Sequence, residues 1–229
     1  MNRREINRVL LACAAFPVAA HVLTYSRAEQ PMTKIKLTDH RIGHPPEDFE
    51  FRRTGFGERG QWSVVRDDTA ASKLAIEQFS EEPTEDRFPL AVYAPISAKN
   101  VEVSARFKII GGSMQSAGIA VRLTSIEDYY VLRVSALEER IDLLRVMDGK
   151  PGRIAGIDAE VTRNRWQSLG IIAKDDQFTI SLDGKVVLTA WDQGLLTDGQ
   201  VALWTEDDNV TRFEDIAITP LPWSRQDRE

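Results

Sequence analysis

In the run Val101-Glu102-Val103-Ser104-Ala105-Arg106-Phe107-Lys108-Ile109, every odd position is apolar and every even one polar. Successive side chains of an extended chain point to opposite faces, so this period of two predicts a strand with one buried face. The same logic predicts strands over 119–123, 130–136 and 141–147. Phe178, Ile180 and Leu182 alternate with Thr179 and Ser181 and lead into Asp183-Gly184. That dipeptide suits positive φ at both turn positions, so 185–190 is read as the returning arm of a hairpin. Asp148-Gly149 predicts a second tight turn, and Gly111-Gly112 joins two strands. Residues 201–204 and 213–218 supply closing strands, and 48–51, 62–65, 74–78 and 90–93 supply the N-terminal half. The stretch 127–147 has helix-forming residue types, but its apolar positions alternate. About a dozen short strands punctuated by turns predict a two-sheet sandwich or jelly roll.

Ahead of the strands lies an address. Arg3, Arg4 and Arg8 precede an apolar stretch over 9–23, broken by Pro17 and His21, with small residues for cleavage after Ala20 or Ala28. This is the shape of an export signal, too short and interrupted for a membrane span. Either a Sec or a twin-arginine route fits, since Asn2-Arg3-Arg4-Glu5-Ile6 resembles the latter. The expected organisation is a signal peptide over 1–28, a linker and lead-in over 29–45 with Pro31 and Pro45, the sandwich over 46–219 and a polar tail over 220–229. The expected location is extracytoplasmic, periplasmic or secreted, with no membrane span once the signal is removed. Cys13, the only cysteine, lies inside the signal, where Leu10-Leu11-Ala12-Cys13 faintly resembles a lipoprotein cleavage box. Cleavage beyond it leaves no thiol, which excludes cysteine nucleophiles, disulfides and thiolate-bound metals.

The formal net charge of −6, with no basic stripe interleaved with aromatics, excludes a nucleic-acid footprint. His40 and His44 are the only histidines beyond the signal, and both sit in the lead-in. A Ser-His-Asp arrangement therefore cannot be built inside the sandwich. No glycine-rich phosphate loop follows a strand and opens a helix.

Several segments, taken in order, resemble the concanavalin A-like lectin/glucanase superfamily, and most closely its 3-keto-disaccharide hydrolase domains. They are Asp48-Phe49-Glu50, Gly60-Gln61-Trp62-Ser63-Val64, Gly118 to Arg122 followed by Asp128-Tyr129-Tyr130-Val131-Leu132-Arg133, Trp166-Gln167-Ser168-Leu169 with Asp183-Gly184-Lys185, and Gly199 to Trp204 with Phe213-Glu214-Asp215. The resemblance spans roughly residues 46 to 219 and implies an all-β, two-sheet antiparallel jelly-roll sandwich. It also implies a sugar partner, an oligosaccharide or polysaccharide, either bound or hydrolysed; fold alone does not choose between these.

Alternation sets Arg106 on the face opposite Val103 and Phe107, and gives Arg122 and Arg133 the same kind of position, with Tyr129 on the Arg133 side. Aromatic faces stack on sugar rings and arginines bond their hydroxyls. Arg106, Arg122, Tyr129, Arg133 and Trp204 are therefore the expected ligand face on the concave sheet, or else ordinary cross-strand positions of a half-exposed sheet. Trp62, Trp166 and Trp204 also suit core positions, and Trp191 an exposed rim. The alternating E-x-D-x-E strand of sandwich glucanases is missing, and no catalytic residue is assigned. No cofactor is expected, although the acidic run Glu206-Asp207-Asp208 offers oxygen ligands for a structural calcium ion, or forms a solvated turn. Three functions stay open: a glycan-binding module, a glycoside-type hydrolase, and an envelope protein without a small ligand.

Overall fold

The computed structural model describes residues 31–222. The stretch expected as an export signal, Cys13 within it, and the last residues of the expected tail lie outside the described residues. Strands are numbered in chain order. One sheet runs, by adjacency, β13 (Lys185–Trp191), β12 (Gln177–Leu182), β11 (Gln167–Lys174), β6 (Val101–Gly111), β15 (Val210–Pro220), β4 (Leu74–Gln78) and β3 (Trp62–Arg66), with the short β1 (Thr33–Lys34) also pairing β15. The other runs β10 (Lys150–Asp158), β9 (Arg140–Met147), β8 (Asp128–Ser135), β7 (Ser116–Ser125), β14 (Gly199–Thr205), β5 (Arg87–Ala98) and β2 (Phe49–Gly55). The pairings within both sheets are antiparallel. Sheet neighbours are often far apart in sequence, as where β15 lies between β6 and β4, and the molecule is a two-sheet jelly-roll sandwich.

The main core lies between the sheets. Val101, Val103, Ala105, Phe107 and Ile109 of β6 point inward and meet a buried set that includes Ile119, Val121, Tyr130, Leu132 and Leu143 of the other sheet. Burying one such large aliphatic or aromatic side chain contributes on the order of 1.5–3 kcal/mol. The stretch 127–147 forms the β8–β9 hairpin, so alternation prevails over helix propensity. Its turn to β10 has Asp148 at φ 49° and Gly149 at φ 73°, and the β12–β13 turn has Asp183 at 49° and Gly184 at 75°. The stretch expected as linker contributes structure: Thr33 and Lys34 pair with Ile218 and Ala217, and Ile35 and Leu37 are buried in the main core.

A second apolar cluster fills the other face of the β10-to-β2 sheet. It includes Phe88, Leu90, Val92, Tyr129, Val131, Val146 and Trp204, with Phe88 and Trp204 stacked at 5.5 Å. Tyr129 in β8 and Thr54 in β2 are four strands apart, roughly 19 Å in a flat sheet. Their hydroxyls nevertheless share a hydrogen bond of 3.0 Å. The sheet therefore curls strongly, and its β7–β8 turn reaches over this face to β2. Thr54 Oγ1 also donates to the carbonyl of Ile126 in that turn.

Candidate functional site

The five expected ligand residues do not share one face. Arg106 lies on the outside of the sheet containing β6, paired with buried Glu214 at 2.6 Å and 5.5 Å from the centre of the Trp166 ring. Tyr129, Arg133 and Trp204 lie on the outer side of the other sheet, but Tyr129 and Trp204 are buried in its second apolar cluster. Arg133 is 7% exposed and is held by Glu138 (2.8 Å), Glu206 (2.9 Å) and Asp142 (3.5 Å).

Arg122 departs furthest from its expected solvent-facing position, because it is fully buried. The β7–β8 register shifts between Val121 and Ser125, and Arg122 takes φ 52°. A bulge breaks the alternation on which the expectation rested. The guanidinium instead enters the end of the main core, 5.1 Å from the Phe178 ring and 5.8 Å from the Tyr130 ring. There it donates to the carbonyls of Lys99 (2.7 Å), Asp175 (2.6 Å) and Leu195 (3.1 Å). Gly199 passes so close to this bulge that a Cβ would lie 2.3 Å from the Arg122 carbonyl carbon.

The carboxylates are similarly engaged. Glu206 pairs with Arg133, Asp207 accepts from the Arg87 amide (3.2 Å), and Asp208 accepts from the Ser113 amide and hydroxyl (both 2.8 Å). Burial pushes the Asp207 carboxyl up, whereas the Arg133 hydrogen bond holds Glu138 down. Among the described residues no three His, Cys, Asp or Glu side chains are grouped to hold a metal ion.

Accessible space includes the margin where β2 and β3, edge strands of the two sheets, meet through Phe51 and Trp62. Two adjoining clefts there share Phe51 and Arg59 as walls. One, of about 630 Å³, is lined by Glu50, Arg52, Arg53 and Ile126 as well. The other, of about 540 Å³, is lined by Pro45, Gly60, Trp62 and Phe79 among others. Phe51 stacks on Trp62 at 6.3 Å, and Phe79 is 41% exposed. The Nε1–H of Trp62 is buried without an acceptor, and so is the Nε–H of Arg53. A Cβ on Gly60 would come within 2.7 Å of that indole nitrogen and 2.6 Å of Pro89, so only glycine fits here.

The wall over 56–61 is fixed by buried donors. Arg87, fully buried, donates to the carbonyls of Glu58 (2.8 Å), Arg59 (3.3 Å) and Asp207 (2.5 Å) and to Ser80 Oγ (2.9 Å). Glu82 accepts from the Glu58 amide (2.9 Å), and Gln78 from the Gln61 amide (3.1 Å). The opposite wall, Ile126, is held by the Thr54 contact that Tyr129 supports. Tyr129 is thus a positioning residue for the cleft. Phe51, Arg53, Arg59 and Phe79 carried no sequence signal, since they come from separate segments; Gly60 and Trp62 were legible only as part of a strand motif.

No protein-family model matches the sequence, and no curated protein matches it. Solved structures do match. A carbohydrate-binding module CBM66 from Bacillus subtilis is 18% identical, with a TM-score of 0.59 over 74% of this chain and 94% of that one. Domain 4 of AbnA, a GH43 extracellular arabinanase from Geobacillus stearothermophilus in complex with arabinotriose, is 9% identical, with a TM-score of 0.57 over 86% and 95%. A Bacillus licheniformis beta-glucanase is 7% identical, with a TM-score of 0.52 over 79% and 96%. At these identities the likeness is one of fold: a two-sheet antiparallel β-sandwich.

Proposed function

We propose that this protein is an exported carbohydrate-binding sandwich that takes its glycan along the β2/β3 groove. One observation carries the reading: partly exposed aromatic faces, Phe51 and Phe79, stand beside buried N–H donors that have no acceptor in the protein. Sugar rings present apolar faces to aromatics and hydroxyl oxygens to donors, so such a groove suits them on both counts. Fold neighbours whose names include a carbohydrate-binding module and an arabinotriose complex support the same reading. The arginine-led apolar N-terminus supports export. Screening the purified protein on a broad glycan array tests it. Saturable binding is expected, weakened by Phe79→Ala; a blank array sinks the reading.

The alternative is a glycan hydrolase of the 3-keto-disaccharide hydrolase type. It is favoured by the gathering of Glu138, Asp142 and Glu206 around Arg133, close to Asp207 with its raised pKa. A glycosidase needs one protonated and one ionised carboxyl across an open cleft. Here three of the carboxylates are bound to one guanidinium, so binding is the better-supported function. Release of product from a 3-keto-glucoside, abolished by Asp207→Asn, would reverse that preference.

A further inference from the structure

The cleft at the β2 end of the groove is the more basic of the pair, and its charge bears on what the ligand carries. Three arginines, Arg52, Arg53 and Arg59, line it with a single carboxylate, Glu50, already paired with Arg52. Neither Arg53 nor Arg59 forms a salt bridge among the described residues, although the charge of Arg53 reaches Glu82 and helps to hold its carboxyl down. Arg53 is half-buried, and its Nε–H is closed off from solvent without an acceptor. Another basic cleft, around Arg145, Lys150 and Arg153, differs on this point: Arg145 is paired with Asp192 at 2.8 Å, and Arg153 lies 3.7 Å from Asp142. In a chain of net charge −6, two guanidinium groups that no carboxylate salt-bridges, in one cleft, form a local positive field. Arginine's planar fork matches carboxylate and sulfate oxygens, two bonds at a time.

Resting on the glycan-binding reading, we propose that the bound glycan is acidic, with a carboxylate or sulfate ester seated between Arg53 and Arg59 and its ring over Phe51. The test is calorimetric titration of the purified protein with two matched pairs. One pair is an oligogalacturonate and its methyl ester; the other is a sulfated galactan oligosaccharide and its desulfated form. The charged member of at least one pair binds roughly tenfold tighter or more, and that advantage shrinks between roughly 0.05 and 0.5 M salt. Arg53→Gln and Arg59→Gln each reduce it, whereas Lys150→Gln in the other cleft leaves it unchanged. Arg59 is exposed, so its variant carries the test even if Arg53→Gln misfolds. Preference for the uronate identifies a carboxylate ligand, and preference for the sulfated chain a sulfate ester. Equal binding of charged and neutral members overturns the proposal while leaving glycan binding intact. Loss of the preference in Lys150→Gln but not in Arg59→Gln overturns its location. Failure of every oligosaccharide, neutral ones included, overturns the glycan-binding reading itself.

Discussion

Replacing Arg122 by methionine leaves the carbonyls of Lys99, Asp175 and Leu195 without the donors that the guanidinium supplies. Each buried acceptor left unmet costs about 1–3 kcal/mol. Arg122→Met is therefore expected to lower unfolding stability by at least about 2 kcal/mol in urea titrations, with glycan affinity unchanged. A loss of affinity without a loss of stability would return Arg122 to the ligand face. Asp67 sets a pH dependence. Burial alone would raise its pKa, but hydrogen bonds from Lys108, Thr69 and Arg212 outweigh that and hold it far below the carboxylate range. A depressed folded value means that its stabilising contribution is full above the unfolded value of about 4 and is lost as pH falls below it. The urea midpoint should drop steeply below about pH 4, and less steeply in Asp67→Asn; parallel curves for the two proteins would contradict this. Arg122 was unreadable in sequence for a specific reason. Alternation assigns faces only along an unbroken strand, and the bulge that turns this residue inward depends on the passing Gly199, far along the chain.

Strands were legible in proportion to how one-sided their burial is. β6 alternates buried and more open positions at its start, and 101–109 could be read at once. β7 and β8 are buried on both faces because the curled sheet encloses a second cluster, so their alternation held less information than expected. β10 carried no usable signal: it is an edge strand with Pro151, Gly152 and Gly156, mostly exposed and paired only with β9. Proline and glycine are tolerated on edges, where ladder bonds are fewer. Amide exchange should follow this difference. Amides of β10 are expected to exchange by local opening, well ahead of those in β6, which lies between β11 and β15. Equal protection of β10 and β6 would mean that the edge does not open separately.

At the scale of the whole molecule, two fully buried arginines pin opposite ends of the sandwich. Arg87, at the start of β5, ties down the β2–β3 loop and its neighbours, and Arg122 anchors the turn that follows the end of β5, together with two others. The groove lies at the Arg87 end and is assembled from Phe51, Arg59, Trp62, Phe79 and Ile126, which no local pattern links. The sandwich itself was legible, because strand period and turn chemistry are local. The groove was not, because it exists only where the margins of two sheets meet. Its occupancy can be read from the protein's own indole protons. Trp62 and Trp204 both carry buried Nε1–H groups, one beside the groove and one in the cluster across the curled sheet. In a ¹⁵N-resolved NMR titration with a glycan selected from the array, the Trp62 indole resonance should move with saturable dependence while that of Trp204 stays in place. A shift at Trp204 with Trp62 unmoved would contradict the account and put the ligand on the sheet face instead.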